Sequence, residues 1–397
     1  MANYIIRRSF YAVITLLAMA CLTYGLLSIT PNGPLDLLIF RNTDEQNRLD
    51  DAAFDRIKQQ FELDLYLPSR FLRWLVGHPR GRILIGGQEL FGALEIGCLE
   101  EGEGILTYAD GRQVKTNCIR PVYLKNLEGR YVSDGIVRFD FGRSQVISPG
   151  RPVTNLLQAT VGPTLQLQAI STFLALLISI PVGIYTAYRQ YSKFDYAVTS
   201  VTFLGASLPS LFWGIMFVLI FSLGFKAIGL PFFPTGSMES VKDTTVPLFG
   251  EIKAGTAIDR LWHLVLPASV LTFISLAGWA RYIRSSMLEV LQMDYVRTAR
   301  AKGLIERLVI MRHAMRNALI PFVTLIVGIL PGLFGGALIT ESVFSWPGLG
   351  RLFNGALFAS DYPVAMAIFW IGSVLTLLAF LLADILYTLV DPRIKLK

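Results

Sequence analysis

The sequence predicts an all-α polytopic membrane protein with six transmembrane helices and a small, mostly β extracytoplasmic insertion between helices 1 and 2. Three observations carry that prediction. Of 397 residues, 53% are hydrophobic and 16% charged, with a mean hydropathy of +0.51, which is more apolar surface than one soluble core hides. Six windows reach or approach the run of about 20 apolar residues that a bilayer crossing takes: Ser9 to Ile29, Leu165 to Tyr188, Tyr196 to Phe225, Leu264 to Ala280, Ala318 to Thr340 and Tyr362 to Ala383. Between the first two, the hydrophobic period switches from helical to alternating.

The first window follows "MANYIIRR", a start shared with signal peptides. It is longer than a signal core, and "LSITPNGP" offers no small-x-small cleavage site, so a retained anchor is expected. The insertion, 31–163, opens with "DEQNRLDDAAFDRIKQQFELDLYLPSRFLRWLVG", whose apolar residues recur at helical spacing behind acidic ones, predicting one or two amphipathic helices. From about residue 80, "GRILIGG", "GALEIGC", "GILTYADGRQVKTNC" and "RPVYLKN" read as short strands, with Asp110-Gly111 as a hairpin turn. Cys98 and Cys118 flank that turn and would form a disulfide in an oxidising compartment. Cys21, inside the first span, behaves as a small apolar residue.

In the third window, "GASLP" faintly resembles an intramembrane serine-protease motif, but Pro209 stands where a small residue belongs. A proline kink in one long helix explains it better. The fourth window extends past Arg281 and Arg284 if their side chains snorkel toward water. The fifth ends at Glu341, which opens "ESVFSWPGLGRL". There Pro347, Gly348 and Gly350 forbid a continued helix, leaving either a tight outside turn or a re-entrant segment near a gate. Carboxylates in lipid are expensive. Asp384, just past the sixth window, lies about two turns before "DPR", where it can approach the interface or pair with a basic neighbour, so a structural role is favoured over substrate contact.

Orientation follows from Lys and Arg in short loops and tails. With the N-terminus inside, Arg7, Arg8, Arg189, Lys193, the cluster from Arg281 to Arg316, and Arg393, Lys395 and Lys397 are all cytoplasmic, facing few acids. The segment 31–163 is nearly charge-balanced, so the net charge of +7 is a cytoplasmic excess and gives no motive for nucleic-acid binding.

The sequence has no G-x-x-x-x-G-K-[ST] loop with which to hold ATP phosphates. His78, His263 and His313 fall in different segments, which offers no H-E-x-x-H pair and no compact metal site, and structural or surface roles are favoured for all three. A secondary transporter or channel would carry a coupling-ion site, for which the spans supply almost no charge, and a membrane enzyme would need a catalytic cluster.

"YIIRRSFYAVITLL", "SITPNGP", "FDFGRSQVISPGRPVTNLL", "PTLQLQAISTFLALLISIPVGI", "LPASVLTFISLAGWARYIRSSMLEVLQMDYVRTARAKG", "RHAMRNALIP", "ESVFSWPGLGRLF" and "DILYTLVDPRIK" follow one another in a familiar order. Together they make the chain similar to a B-type permease subunit of the dipeptide and oligopeptide ABC importers, the binding-protein-dependent transport system inner membrane component family. The resemblance covers residues 1 to 40 and about 135 to 397. "PNGP" stands where the family commonly has PGDP, and the insertion is longer than the family pattern.

The resemblance implies a type I ABC importer permease divided into 1–30, the insertion 31–163, and a five-helix core 164–397 with a cytoplasmic coupling loop 281–317. It implies a bacterial inner-membrane location with both termini cytoplasmic, no catalytic role and no cofactor in this chain. Implied partners are a second homologous permease, two ATP-binding subunits that hold ATP and magnesium, a solute-binding protein docking near the insertion, and membrane lipid. Implied cargo is a di- or oligopeptide, with nickel, oligosaccharides or antimicrobial peptides as alternatives within the family. "RTARAKG" resembles the family's E-A-A-x-x-x-G motif, with Arg297 and Thr298 in place of Glu and the first Ala. On that reading Arg297, Thr298, Ala299, Arg300, Ala301, Lys302 and Gly303 form a short helix that docks on an ATPase subunit. Ala299 and Gly303, one turn apart, would offer a small-residue face to that partner, while the basic residues reach headgroups and the partner. The family's acidic position has no clear substitute.

Overall fold

The computed structural model describes residues 2–29, 51–85, 88–91, 94–107, 113–131, 133–319, 329, 332 and 337–390. The chain packs as two units. One comprises Met1–Phe10, Ala159–Asn354 and Val374–Lys397, and the other Tyr11–Gln158 and Gly355–Ser373. Helices in chain order are α1 (Ala2–Ile29), α2 (Asp51–Gln60), α3 (Leu67–Val76), α4 (Val153–Tyr188), α5 (Lys193–Ser207), α6 (Ser210–Phe217), α7 (Ala257–Leu291), α8 (Asp294–Ala301), α9 (Glu306–Leu308), α10 (Leu338–Val343), α11 (Leu349–Phe358) and α12 (Tyr362–Val390). α6 continues through π-helical Val218–Gly224 into Phe225–Ala227, and α9 through π-helical Val309–Ala314 into Met315–Ala318.

Five helices among the described residues are long and apolar enough to cross a membrane: Ile6–Ser28, Val153–Tyr188, Ser210–Ala227, Ala257–Leu291 and Tyr362–Leu382. The predicted span Ala318 to Thr340 lies mostly outside the described residues, as does Asp110-Gly111. Phe10, Leu22 and Leu26 on α1 are well exposed, as side chains facing lipid must be.

Three sequence expectations need correction. α4 begins at Val153 rather than Leu165, ahead of the predicted span, and Pro163 sits inside the helix. The third window is two helices and not one kinked helix. Leu208 is extended at ψ 144, as a residue before proline prefers, and Pro209 caps the next helix. Gly205 of "GASLP" lets α5 approach α7, because a Cβ there would lie 3.1 Å from the Phe273 ring. α7 does extend past Arg281 and Arg284, but Arg284 is held by Asp195 rather than reaching freely for water, with both guanidinium contacts at 2.8 Å.

In the second unit, α2 and α3 occupy the segment predicted to hold amphipathic helices. Pro68 starts α3, and Gly77, at φ 73, ends it. The strands are longer than predicted: the "EIGC" of "GALEIGC" and "GILT" belong to one strand, β3 (Glu95–Thr107), paired antiparallel with β4 (Gln113–Tyr123). Repeated register shifts between Glu95 and Gly104 twist this ribbon. The same unit holds a short pair, β1 (Ile83–Ile85) with β2 (Gln88–Leu90); the first unit has its own, β5 (Thr244–Val246) with β6 (Gly250–Ile252). Leu65, Ile96, Val122, Leu124 and Leu127 form the buried centre of the insertion. Gly97 is required there, since a Cβ would meet the Asp64 carbonyl at 2.0 Å. Cys98 and Cys118 are disulfide-bonded, with Cα atoms 5.9 Å apart.

Candidate functional site

The segment "DYVRTARAKG" forms a helical corner in the first unit. α7 ends at Gln292, Met293 turns extended at ψ 147, and α8 begins at Asp294, whose carboxylate suits a helix start. Val296 is fully buried and Ala299 is 5% exposed. They pack with Ile283 and Met287 of α7, Ala187 of α4, and Val309, Ile310, Ala314 and Ala318.

The expected small-residue face for a partner is therefore corrected. Ala299 turns inward, where a methyl group lets α8 sit close on its own chain. Gly303 faces open space, with no atom within 4 Å of where a Cβ would stand, and its φ of +76 is the reason for glycine. Its N–H closes the helix end on the Arg300 carbonyl at 2.9 Å.

What α8 presents outward is Tyr295, Arg297, Thr298, Arg300, Ala301 and Lys302, all exposed. Thr298 donates to the Asp294 carbonyl at 2.9 Å, and Arg297 approaches Asp294 at 3.8 Å. Arg300 grips Glu306 at 2.7 Å, and that carboxylate raises the guanidinium further above its ordinary value. Glu306 thus turns back onto α8. Next to this basic face stand exposed apolar side chains: Ile305 at 76%, Met311 at 51% and Met293 at 42%. Nearby, Asp195 braces α5 on α7, and the Arg284 guanidinium, hydrogen-bonded to it, holds its carboxyl below the usual carboxylate range.

A second corner of the same unit contains "ESVFSWPGLGRL". Glu341 is fully buried on α10. Its carboxylate accepts from the N–H groups of Gly350 at 2.7 Å and Arg351 at 3.1 Å, the free donors at the start of α11. Thr164 adds its hydroxyl at 3.0 Å while accepting the Leu349 N–H at 2.7 Å. Gly348 leaves room for this cluster, because a Cβ would stand 2.3 Å from the Glu341 carboxylate. Gly350 does the same against the Leu338 backbone, at 2.7 Å. Pro347 lies between buried Trp346 and Gly348; the Trp346 indole donates to the Pro163 carbonyl at 2.9 Å. This is a helix–turn–helix joint. Asp384 pairs with Arg8 at 2.9 Å, a structural contact.

His263 is buried, with Nδ1 2.9 Å from the Gly236 carbonyl and Nε2 3.0 Å from Ser240 Oγ. Ser240 also donates to Asp259 at 2.8 Å. The trio contains Ser, His and Asp, but the imidazole is oriented by backbone carbonyls and the hydroxyl is shared with the carboxylate, so it ties the preceding loop to α7.

Sequence reasoning missed Asp361. In the second unit its buried carboxylate collects the Ser144 hydroxyl at 2.6 Å and the N–H groups of Gln145, Val146 and Ile147 at 3.2, 3.0 and 3.0 Å. The signal available was "SDYP", an acid one residue before a helix with proline in its first turn.

Comparison with known proteins follows these motifs. The family described as "Binding-protein-dependent transport system inner membrane component" matches residues 179–396. The oligopeptide transport system permease protein AppB of Bacillus subtilis is 44% identical over 66% of this chain and 77% of its own length. The dipeptide transport system permease protein DppB of Escherichia coli K12 is 41% identical over 59% of this chain and 71% of its own. A putative peptide permease protein of Brucella suis is 32% identical over 100% of this chain and 99% of its own. The last match runs through the insertion, so a long insertion is shared with at least one relative.

Proposed function

The chain belongs to the binding-protein-dependent transport system inner membrane component family, and from that premise we propose that it is the B-type permease subunit of an ATP-driven peptide importer. It lines a path for di- or oligopeptides together with a second, homologous permease. Two ATP-binding subunits, holding ATP and magnesium, dock against the α8 corner, and a solute-binding protein delivers cargo from outside. The chain itself performs no catalysis and takes no cofactor. Both termini lie on the cytoplasmic side of a bacterial inner membrane, where the basic loops place them.

One observation supports the coupling role above the rest. The corner is fastened inward by Val296 and Ala299 and carries outward a basic face beside exposed Ile305 and Met311. An apolar patch rimmed by charge is the make-up of a protein contact. Because α8 is seated on α7 and α4 through one packed cluster, a push on it is delivered to the spans rather than absorbed locally. Closure of the ATPase pair then shifts the permease between inward-open and outward-open forms, and hydrolysis resets it.

The test is purification of the full-length chain from its native membrane, followed by reconstitution with the associated subunits. ATP-dependent uptake of a labelled di- or tripeptide, delivered by the binding protein, is the expected result. Uptake by the chain alone, driven by an ion gradient, would replace this reading with a secondary transporter. Binding of nickel or an oligosaccharide by the cognate binding protein would keep the permease and change the cargo.

A further inference from the structure

The second unit contains a cavity of about 330 Å³ bounded by the C-terminal end of α1, the α2–α3 connection, the 141–150 loop and the start of α12. Four charged residues line it: Glu62, Arg70, Arg73 and Arg143. Arg73 is fully buried and committed to Glu62, at 2.6 and 2.8 Å, and to the Pro79 carbonyl. Arg143 donates to the Gly150 carbonyl at 2.9 Å and lies over the Tyr131 ring at 5.4 Å. Arg70 differs. Its Nε is buried and makes no hydrogen bond among the described residues. A buried, unsatisfied guanidinium nitrogen in a wall with three cations and one anion calls for an oxyanion.

The surroundings narrow the source of that oxyanion. A second, much smaller hollow of about 10 Å³ shares Trp74 and Met366 with the cavity and marks an apolar seam between α1 and α12, lined by Met19, Thr23, Phe369 and Trp370. These lie within the apolar spans Ile6–Ser28 and Tyr362–Leu382. Tyr24 packs on Trp74 and Phe71 at 5.1 and 5.5 Å, so aromatic rings mark the level where the cationic cavity gives way to the apolar hollow. Free phosphate or a peptide carboxylate would satisfy Arg70 but would have no use for the hollow.

We propose that this cavity binds the phosphate of an anionic phospholipid, with Arg70 as its principal donor and an acyl chain running along the apolar seam between α1 and α12. The proposal does not depend on the cargo assigned above. The lipid joins the insertion to the ends of two spans within one packed unit, which a polar group alone would not do.

The assembled transporter is delipidated, exposed to phosphatidylglycerol or phosphatidylcholine, and examined by native mass spectrometry. Phosphatidylglycerol should be retained preferentially, and Arg70→Gln should lower its retention about tenfold, the loss expected for one charge-assisted contact. Arg70→Lys should keep most of it. Equal retention of both lipids, or no change in Arg70→Gln, overturns the proposal. Displacement by a free dipeptide reassigns the cavity to cargo, and displacement by inorganic phosphate shows a simple anion site; either result also overturns it. If Arg70→Gln fails to assemble, the wild-type protein decides. Phosphatidylglycerol with a photoreactive acyl chain should label the peptide containing Met366 and Phe369, and labelling only elsewhere refutes the site.

Discussion

Two corners of one unit, at α8 and at the α10–α11 joint, use opposite means to hold a short helix. The α8 corner is fastened by apolar side chains and keeps its polar groups outside. The α10–α11 joint buries its polar groups and satisfies them internally, with Glu341 serving the helix start that Gly350 and Arg351 leave open. A corner whose charges stand at the surface in exposed pairs is open to another molecule, whereas one whose charge is buried and consumed is a fixed joint. Both stretches stand out in the sequence, yet only the first keeps a run of charged side chains on its outer face.

The sharpest way to break the comparison is at the joint. Glu341→Ala leaves three backbone donors, the N–H groups of Ala337, Gly350 and Arg351, and the Thr164 hydroxyl without their acceptor in a dry site, at a cost of about 3 kcal/mol or more. Thermal unfolding in detergent should show a clearly lowered midpoint, with Glu341→Gln intermediate because it keeps one acceptor oxygen. An unchanged midpoint would mean that the joint is not internally sealed.

Next in size is the brace beneath α8. Asp195→Asn weakens a bidentate pair with Arg284, a loss of about 2 kcal/mol. Because the folded-state pKa of Asp195 is depressed, its contribution is fully present above the unfolded carboxylate value of about 4 and disappears as pH falls through the folded value. The wild type should therefore lose stability on acidification by more than the variant, and parallel acid limbs would count against the pair.

Gly303→Leu should affect α8 itself. The left-handed φ penalises a side chain by about 1 kcal/mol, so global unfolding should move little while peptide-stimulated ATPase activity falls. Normal coupling at normal subunit levels would remove α8 from the proposed contact. Smallest is Arg300→Gln. An exposed ion pair contributes about 0.5 kcal/mol, so stability should hardly change, and salt should abolish the difference. A large loss of stability would show that the outer face is more than a rim.

How far the sequence could be read depended on the range of the interaction. Apolar runs report their own environment, so the spans were legible from composition and length. Helix ends that lie beyond lipid were not, as Val153 shows: "VTNLLQATVGP" is too polar to read as a span, yet α4 begins there. The motif spacing picked out α8, but could not say which way Ala299 faced or that Gly303 lies past the helix end. That direction is set by Ile283, Met287 and Val309, residues before and after it in the chain. Glu341 stood out as an acid beside lipid, although its partner Thr164 lies 177 residues away. Cys98 and Cys118 were legible as a pair because their context was local.

The Cys98–Cys118 bond encloses peptide links that include Lys115. On the extracytoplasmic side proposed for the insertion, a chain segment would meet proteases that cytoplasmic loops never see. A trypsin-like cut after Lys115 would open the backbone but release nothing, since both new ends stay within one covalent ring. Digested protein should run as a single band until reductant is added and as two bands afterwards. The insertion can be nicked in this ring and still keep its halves in register.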